Sequence, residues 1–481
     1  MYEEYLRVID DKFEELNMLS DGIWECAETA FSEFKSVKLL TDFLKKEGFT
    51  VNSPAFGIDT AFSASFGSGK PVIGFLGEFD ALAGLSQKAD VFEKTEYIHG
   101  GNGHGCGHNL LGAGALAAAL AVKSYLEAGN EGTVIYFGCP GEEGGSGKAF
   151  MAREGAFSDL DLALTWHPGD CNMVMQYTSL ANIQILYRFY GKAAHAAGNP
   201  EDGRSALDAV ELMNVGCNFL REHMPSDCRI HYAIIDSGGF SPNVVQPYAS
   251  VLYLIRAPKV GDVQELADRV TKIAEGMAIA TETRFEKDII KSCANVIPNT
   301  VLEEELYRSF TEVEKPEYTR EDYEYAAKIT AADGSNKRGK FDELVASLDN
   351  PDNVSVIEGH GYDPLYDFVI PYEKKLHPPV MKGSTDVGDV SWQCPTAQIS
   401  TSTWAPLSGG HSWQIVAQGK GDIAHKATAY CGKILADTAI RLYNDAETVE
   451  RAKEEYRKRL EGQSYVPIPK DVHPRPIDSL K

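Results

Sequence analysis

In the first 180 residues, short apolar runs alternate with longer stretches of helical spacing. PVIGFLG (71–77), TVIYFG (133–138) and LALTW (162–166) are bounded by turn residues and read as strands. Between them, 109–127 reads as a helix rich in small side chains. This alternation predicts an α/β domain of three layers, a mostly parallel sheet with helices on both faces.

From about residue 181 the pattern changes. ANIQILYRFYG reads as a long strand, and GRSALDAVELMNVGCNFLREH (203–223) as a helix with Ala206, Val210, Met213 and Leu220 among its apolar positions. RIHYAII and ASVLYLIRA read as strands, VGDVQELADRVTKIAEGMAIAT as a helix and TRFEKDII as a strand. The β-α-β-β-α-β order predicts a ferredoxin-like α+β domain at 181–297. Segment 301–381 is polar, contains ADGSNKRGK and LDNPDN, and reads as helices broken by an irregular insertion. AQISTSTW then reads as a strand and 420–444 as a helix. The expected layout is a discontinuous domain, 1–180 and 298–481, with 181–297 inserted into it. The Pro-rich tail QSYVPIPKDVHPRPIDSLK reads as an extended surface segment.

The length of 481 residues accommodates two or three such domains. A net charge of -24 argues against nucleic acid and anionic membranes as partners, because both need cationic surface. The longest apolar run, LLGAGALAAALAV, reads as too short and too small-sided for a bilayer. The acidic start MYEEYLRVIDDKFEEL lacks the basic and apolar regions of a signal peptide. Nine scattered cysteines, an odd number, fit a reducing compartment, so a cytoplasmic location is expected.

Polar residues then fall where an open α/β sheet binds ligands, at the carboxyl ends of strands. Glu78 and Asp80 follow the first strand, Glu142 and Glu143 the second, His167 the third, and His411 the strand at 397–404. Cys106 and His108 lie in GNGHGCGHN, on the loop leading into the helix at 109. Each has a bland alternative. Cys106-x-His108 could be a turn with Asn109 as helix cap, the two glutamates solvated surface, and His167 a satisfied core histidine. Convergence on one rim favours a metal site, because a metal needs several such donors together. A thiolate, three imidazoles and a carboxylate can hold two divalent ions, which polarise a water and a carbonyl. One glutamate of the doublet would be a ligand and its neighbour a base. GGSGK (144–148) has the wrong glycine spacing for a phosphate loop, and Cys106 as a nucleophile would need a different fold around it.

The stretches GHGCGHN, CPGEEGGSGK, TWHP, GKAAHAA, SPNVVQ, STDVGDVSW and HSWQ resemble, in this order, the aminoacylase/carboxypeptidase superfamily of dinuclear metallohydrolases, and within it the amidohydrolase branch. The resemblance implies a lid domain, inserted into the catalytic domain, that dimerises. It implies Cys106, His108, Glu143, His167 and His411 as metal ligands and Glu142 as general base. Asp80 matches an aspartate that orients a ligand histidine, while Glu78 stands where a histidine is usual. His195 matches a lid histidine that stabilises the oxyanion of a neighbouring subunit, and Asn243 and Arg256 match contacts to the substrate's carboxylate end. His104 is expected to fix the loop or support a ligand, and His425 to be structural.

The expected activity is hydrolysis of an N-acyl amino acid, p-aminobenzoyl-glutamate or a related acyl-amino acid, with two Mn2+ or Zn2+ ions per subunit. Thiolate softness favours zinc and the resemblance manganese. The partners expected are that small-molecule substrate and a second subunit, identical or related, joined through the lid. A dipeptidase or aminopeptidase, or a non-catalytic partner subunit, are the alternatives.

Overall fold

In the computed structural model, which describes residues 2–332, 337–361 and 363–476, strands form wherever apolar residues crowd into short runs. Seven lie in one sheet: β1 (Thr50–Asn52), β2 (Phe62–Ser68), β3 (Val72–Glu78), β4 (Gly132–Cys139), β5 (Leu162–Gly169), β6 (Met173–Val174) and β13 (Thr396–Ser402). Their order is β1-β2-β4-β3-β5-β13-β6. The central strands β4, β3, β5 and β13 are parallel, flanked by antiparallel pairings. All four therefore end on the same edge. Glu78 stands opposite Cys139 there, and His167 opposite Ser400.

The His108–Glu127 helix packs against this sheet through a shared apolar core, together with the helices Asp422–Tyr443 and Thr300–Glu312. Small side chains let it come close. A Cβ on Gly114 would lie 2.6 Å from the buried ring of Trp166, whose indole N–H donates to the Leu111 carbonyl. By length and composition this helix could cross a membrane, contrary to the expectation that its apolar run is too short. Its best window is 89% buried inside the protein, so it is a core helix. The helix starts at His108 with Gly107 as its cap, not at 109. Asn109 is no cap: its amide donates to Ser20 Oγ and the Gly419 carbonyl.

The chain divides into two compact units. The first is Met1–Tyr177, Ile297–Pro379 and Val390–Ser464; the second is Thr178–Val296, Val380–Asp389 and Tyr465–Lys481. The second contains β7 (Thr178–Ser179), β8 (Ala181–Tyr190), β9 (Arg229–Asp236), β10 (Tyr248–Ala257), β11 (Arg284–Cys293) and β12 (Val380–Met381). β8 to β11 form an antiparallel sheet ordered β11-β8-β10-β9, with helices Ala206–Leu220 and Val260–Ala280 packed on one core with it. This is the β-α-β-β-α-β element order read from the sequence.

Assigning all of 298–481 to the first domain needs correction. Segments 380–389 and 465–481 group with the second unit. β12 pairs with β7, Tyr465 donates to buried Asp389, and Arg475 pairs with Asp288. The described part of the tail, 463–476, is extended and mostly exposed, as expected, with Ile468 and Val472 buried. Within 301–381 the helices are Thr300–Glu312, Arg320–Ala331, Lys337–Ala346 and Pro351–His360. Part of ADGSNKRGK, residues 333–336, lies outside the described residues.

Candidate metal centre

Three loops at the carboxyl edge of the parallel strands and the end of β5, which carries His167, supply the donors, and glycine shapes the loop that leads to Cys106 and His108. Gly107 has φ +72°, and a Cβ there would meet Trp404 at 2.8 Å. A Cβ on Gly103 would lie 2.2 Å from the Leu85 carbonyl oxygen. This close fit sets Cys106 beside His167, with Sγ 3.4 Å from Nε2. His104 is buried in the same loop and its Nε2 meets the Ile23 carbonyl at 3.1 Å, which ties the loop to the preceding helix. Burial, then the charge of His108, holds His104 down at about 3, so it stays neutral.

Two histidines are oriented by their own Nδ1 protons. His108 Nδ1 donates to Asp80 Oδ1 at 2.9 Å, and His167 Nδ1 to the Pro168 carbonyl at 2.7 Å. Each then turns Nε2 into the centre, the arrangement usual for metal-binding imidazoles. Asp80 also accepts the Glu143 backbone N–H at 2.8 Å through Oδ2, so one carboxylate positions two candidate ligands. The turn before Glu142 is pinned by buried Glu33, which accepts the Gly141 N–H at 2.8 Å. His411 comes from the loop after β13 at φ +54°, and its Nε2 lies 3.1 Å from Glu143 Oε1.

Donor atoms of Cys106, His108 and His167 lie within 4.8 Å of one another, as do those of Cys106, Glu143 and His411. A third such set is Glu78, His108 and Glu142. His108 Nε2 and Glu78 Oε2 are buried without a hydrogen-bond partner among the described residues. Orphaned buried donors of this kind, together with a soft thiolate, fit divalent metal ions.

The electrostatics agree. Burial pushes the Cys106 thiol up, but the imidazoles of His167 and His108 outweigh it and hold the thiol at about 6. Burial likewise works against ionised Glu143, yet His411 and His108 bring it to about 2. Hydrogen bonds to Cys106 and Glu143 raise His411 to about 10. Burial lowers His108, and the charges of Cys106 and Asp80 raise it well above the ordinary range. The centre is thus a cluster of anions demanding positive charge, which protons or metal ions supply in competition.

Residues 74–462 match the model of peptidase family M20/M25/M40. The chain belongs to this family. This M20 chain is 47% identical to one of the subunits of p-aminobenzoyl-glutamate hydrolase from Escherichia coli (strain K12), over 99% of the chain and 100% of the relative. It is 34% identical to Xaa-Arg dipeptidase of Mus musculus, over 61% of the chain and 67% of the relative. A dinuclear metal-binding M20 peptidase of Bacillus subtilis shares the fold, with a TM-score of 0.56 at 13% identity, covering 90% of this chain and 99% of that one. The M20 chain is a metal-dependent hydrolase of amide bonds and uses divalent metal.

Of the residues expected at the site, the first unit brings together Cys106, His108, Glu143, His167, His411, Glu142, Asp80 and Glu78. His195, Asn243 and Arg256 belong to the second unit. His195 is exposed, its Nδ1 accepts the N–H groups of Ala197 and Gly198, and its ring proton is therefore on Nε2. Asn243 is adjacent, its carbonyl accepting the Ala196 N–H. Arg256 is not with them. It lies near the far end of β10, where it donates to Ser384 Oγ at 2.6 Å.

Two residues at the centre escaped the sequence. Buried Lys148 pairs with Glu78 at 2.6 Å, and its only signal was a lone lysine in the GGSGK turn. Tyr177 donates to Gln398 Oε1, and burial, then the charges of Glu78 and Glu142, raise its hydroxyl pKa. Nothing around Tyr177 in the sequence marks it. His425, inside the last long helix, meets Asp21 and is structural.

Proposed function

We propose that this chain cleaves the amide bond of an N-acyl amino acid, p-aminobenzoyl-glutamate or a close analogue, at a centre of two divalent ions. The observation that carries the reading is that Cys106 belongs to two of the three donor sets, so its thiolate would be shared between two ions. Cys106, His108 and His167 would hold one ion, and Cys106, Glu143 and His411 the other. When bound, the ions supply Lewis acidity to the water and the scissile carbonyl. Glu142, next to ligand Glu143, takes the proton from the attacking water and returns it to the leaving amine. Asp80 keeps the His108 ring turned inward. His195, with its proton on Nε2, is set to donate to an oxyanion. Asn243, beside His195, would contact the substrate's carboxylate end, a role for which Arg256, held on Ser384 Oγ, has no support.

The substrate class is supported by the relative matched along the whole chain, which belongs to a p-aminobenzoyl-glutamate hydrolase. The Xaa-Arg dipeptidase match supports a second reading, in which the substrate has a free amine. Because the hydrolase relative is one of two different subunits, it also supports a partner chain. The second unit offers a surface for one: edge strand β9 exposes Tyr232, Ile234 and Ile235, and the Ala206–Leu220 helix exposes Leu212, Val215 and Phe219. A dimer, of two copies or of two related chains, would cover these apolar side chains. Nine free cysteines support a reducing cytoplasm as its location.

The test is an assay of metal-stripped protein with p-aminobenzoyl-glutamate, other N-acyl amino acids and matching free dipeptides, after adding Mn2+ or Zn2+. Activity on the acyl compounds is expected, and preference for the dipeptides would overturn the substrate class. Elemental analysis of protein from unsupplemented cells distinguishes manganese from zinc. Glu142→Gln should lower kcat by about 10²–10⁴-fold with metal content unchanged. An active Glu142→Gln enzyme would remove Glu142 from the role of base.

A further inference from the structure

Glu78 and Lys148 form an ion pair inside the protein, with side chains 3% and 0% exposed and Oε1 2.6 Å from Nζ. A buried pair is costly to assemble, since both charges lose their water. The position of its other oxygen suggests what it does. Glu78 Oε2 lies 3.2 Å from His108 Nε2, and both atoms are buried without a hydrogen-bond partner among the described residues. With Nδ1 donating to Asp80, neutral His108 has a lone pair on Nε2. When no ion is bound, a proton between the two atoms relieves the repulsion; without it two acceptors face each other at contact distance, which is repulsive unless a cation touches both. A divalent ion does this well. Donors each about 2.0–2.2 Å from one ion, in neighbouring coordination positions, stand roughly 3–3.5 Å apart.

We propose that Glu78 is a further carboxylate ligand of the ion bound by His108, and that Lys148 fixes it by occupying its second oxygen. The inference rests on the two-ion reading above. Glu78 lies at the carboxyl end of β3, and Lys148 lies in the helix Gly147–Arg153 that follows the turn after β4. β3 and β4 are adjacent, which brings a residue from position 78 and one from position 148 together. Bound by Lys148 through Oε1, Glu78 offers only Oε2 and leaves room in the coordination sphere for water and substrate. The pair also balances charge. Glu78 adds a negative charge to the ion, and Lys148 offsets it beneath.

The test is metal binding rather than turnover. Wild-type protein and Glu78→Gln are stripped and titrated with Mn2+ and with Co2+, following stoichiometry, affinity and the Co2+ visible spectrum. The amide keeps the volume of Glu78 and an oxygen for Lys148 but turns an NH2 toward His108 Nε2, so a crystal structure of the Mn2+-loaded wild type accompanies the titration and separates lost ligation from that new contact. The expected result is two ions on the wild type, and on Glu78→Gln one site weakened at least 10–100-fold, the loss seen even for groups that only touch a ligand, with an altered Co2+ spectrum. Lys148→Gln should shift the same site in the same direction by less. Two ions bound by Glu78→Gln with unchanged affinity and spectrum would overturn the proposal while leaving the two-ion centre intact. A wild type that binds no ion would overturn both. Should Glu78→Gln not fold, a crystal structure of Mn2+-loaded wild type decides. A Glu78 oxygen in the ion's coordination sphere supports the proposal, and one turned away overturns it.

Discussion

Asp80→Asn isolates the residue on which the geometry of the centre most depends. The carboxylate accepts from the His108 ring at 2.9 Å and from the Glu143 backbone N–H at 2.8 Å, and it is buried. Asparagine has nearly the same shape but one oxygen and one NH2 group. With its oxygen toward the Glu143 N–H, its NH2 faces His108 Nδ1. The imidazole must then accept there and move its proton to Nε2, closing the nitrogen that faces the centre. With the amide flipped, its NH2 meets the Glu143 N–H, donor against donor, and the Glu143 backbone shifts. Either arrangement sacrifices one hydrogen bond to a charged group, about 1.5–3 kcal/mol. Metal affinity should fall roughly 10- to 100-fold, since 1.4 kcal/mol is about tenfold. The assay is competition for Mn2+ between stripped protein and a chromophoric chelator, with far-UV dichroism to confirm folding. Activity should recover in part at high metal concentration. A folded Asp80→Asn protein with wild-type metal affinity would refute the reasoning.

Three further outcomes are expected. If His195 acts across a dimer, co-assembling His195→Ala with Glu142→Gln chains should restore turnover that neither variant has alone, because each mixed dimer has one complete site; no recovery would place the action of His195 within its own chain. Burial raises the Glu303 carboxyl, which accepts from Tyr372 at 3.1 Å, from 4.5 to about 7. Between those pH values the folded protein keeps a proton that the unfolded chain has released, so stability falls as pH rises, by up to about 3 kcal/mol. Glu303→Gln should flatten that part of a denaturation profile, and an unchanged slope would count against the assignment. Gly114→Ala adds a Cβ 2.6 Å from the locked Trp166 ring. Overpacking of about 1–3 kcal/mol should exceed the gain in helix propensity of about 0.5–1 kcal/mol and lower Tm, measured by calorimetry.

Much of the centre was legible because Glu78, Glu142, Glu143, His167 and His411 follow or end a strand, while Cys106 and His108 open the next helix. β3, β4, β5 and β13 are short apolar runs, and parallel strands place their carboxyl ends on one edge wherever the neighbours lie. Knowing that His167 and Glu143 each terminate such a run was therefore enough to group them. The same reasoning gave no access to Lys148. A lysine in a glycine-rich turn reads as solvent-exposed, and only the adjacency of β3 and β4 brings Glu78 to it. Asn109 looked like a cap because it opens a helix, but Ser20 and the Gly419 carbonyl, both distant in sequence, take its amide.

What the sequence by itself determined was the period-based order of elements, the rim on which the donors gather and the residue types able to hold metal. These depend on local spacing and on side-chain chemistry. Tertiary structure alone decided which buried charges are compensated, which histidine nitrogen faces inward, and that segments 380–389 and 465–481 join the second unit. Short polar segments have no periodicity to declare a partner. Their place follows from contacts such as Tyr465 with Asp389 and Arg475 with Asp288, made across long chain separations.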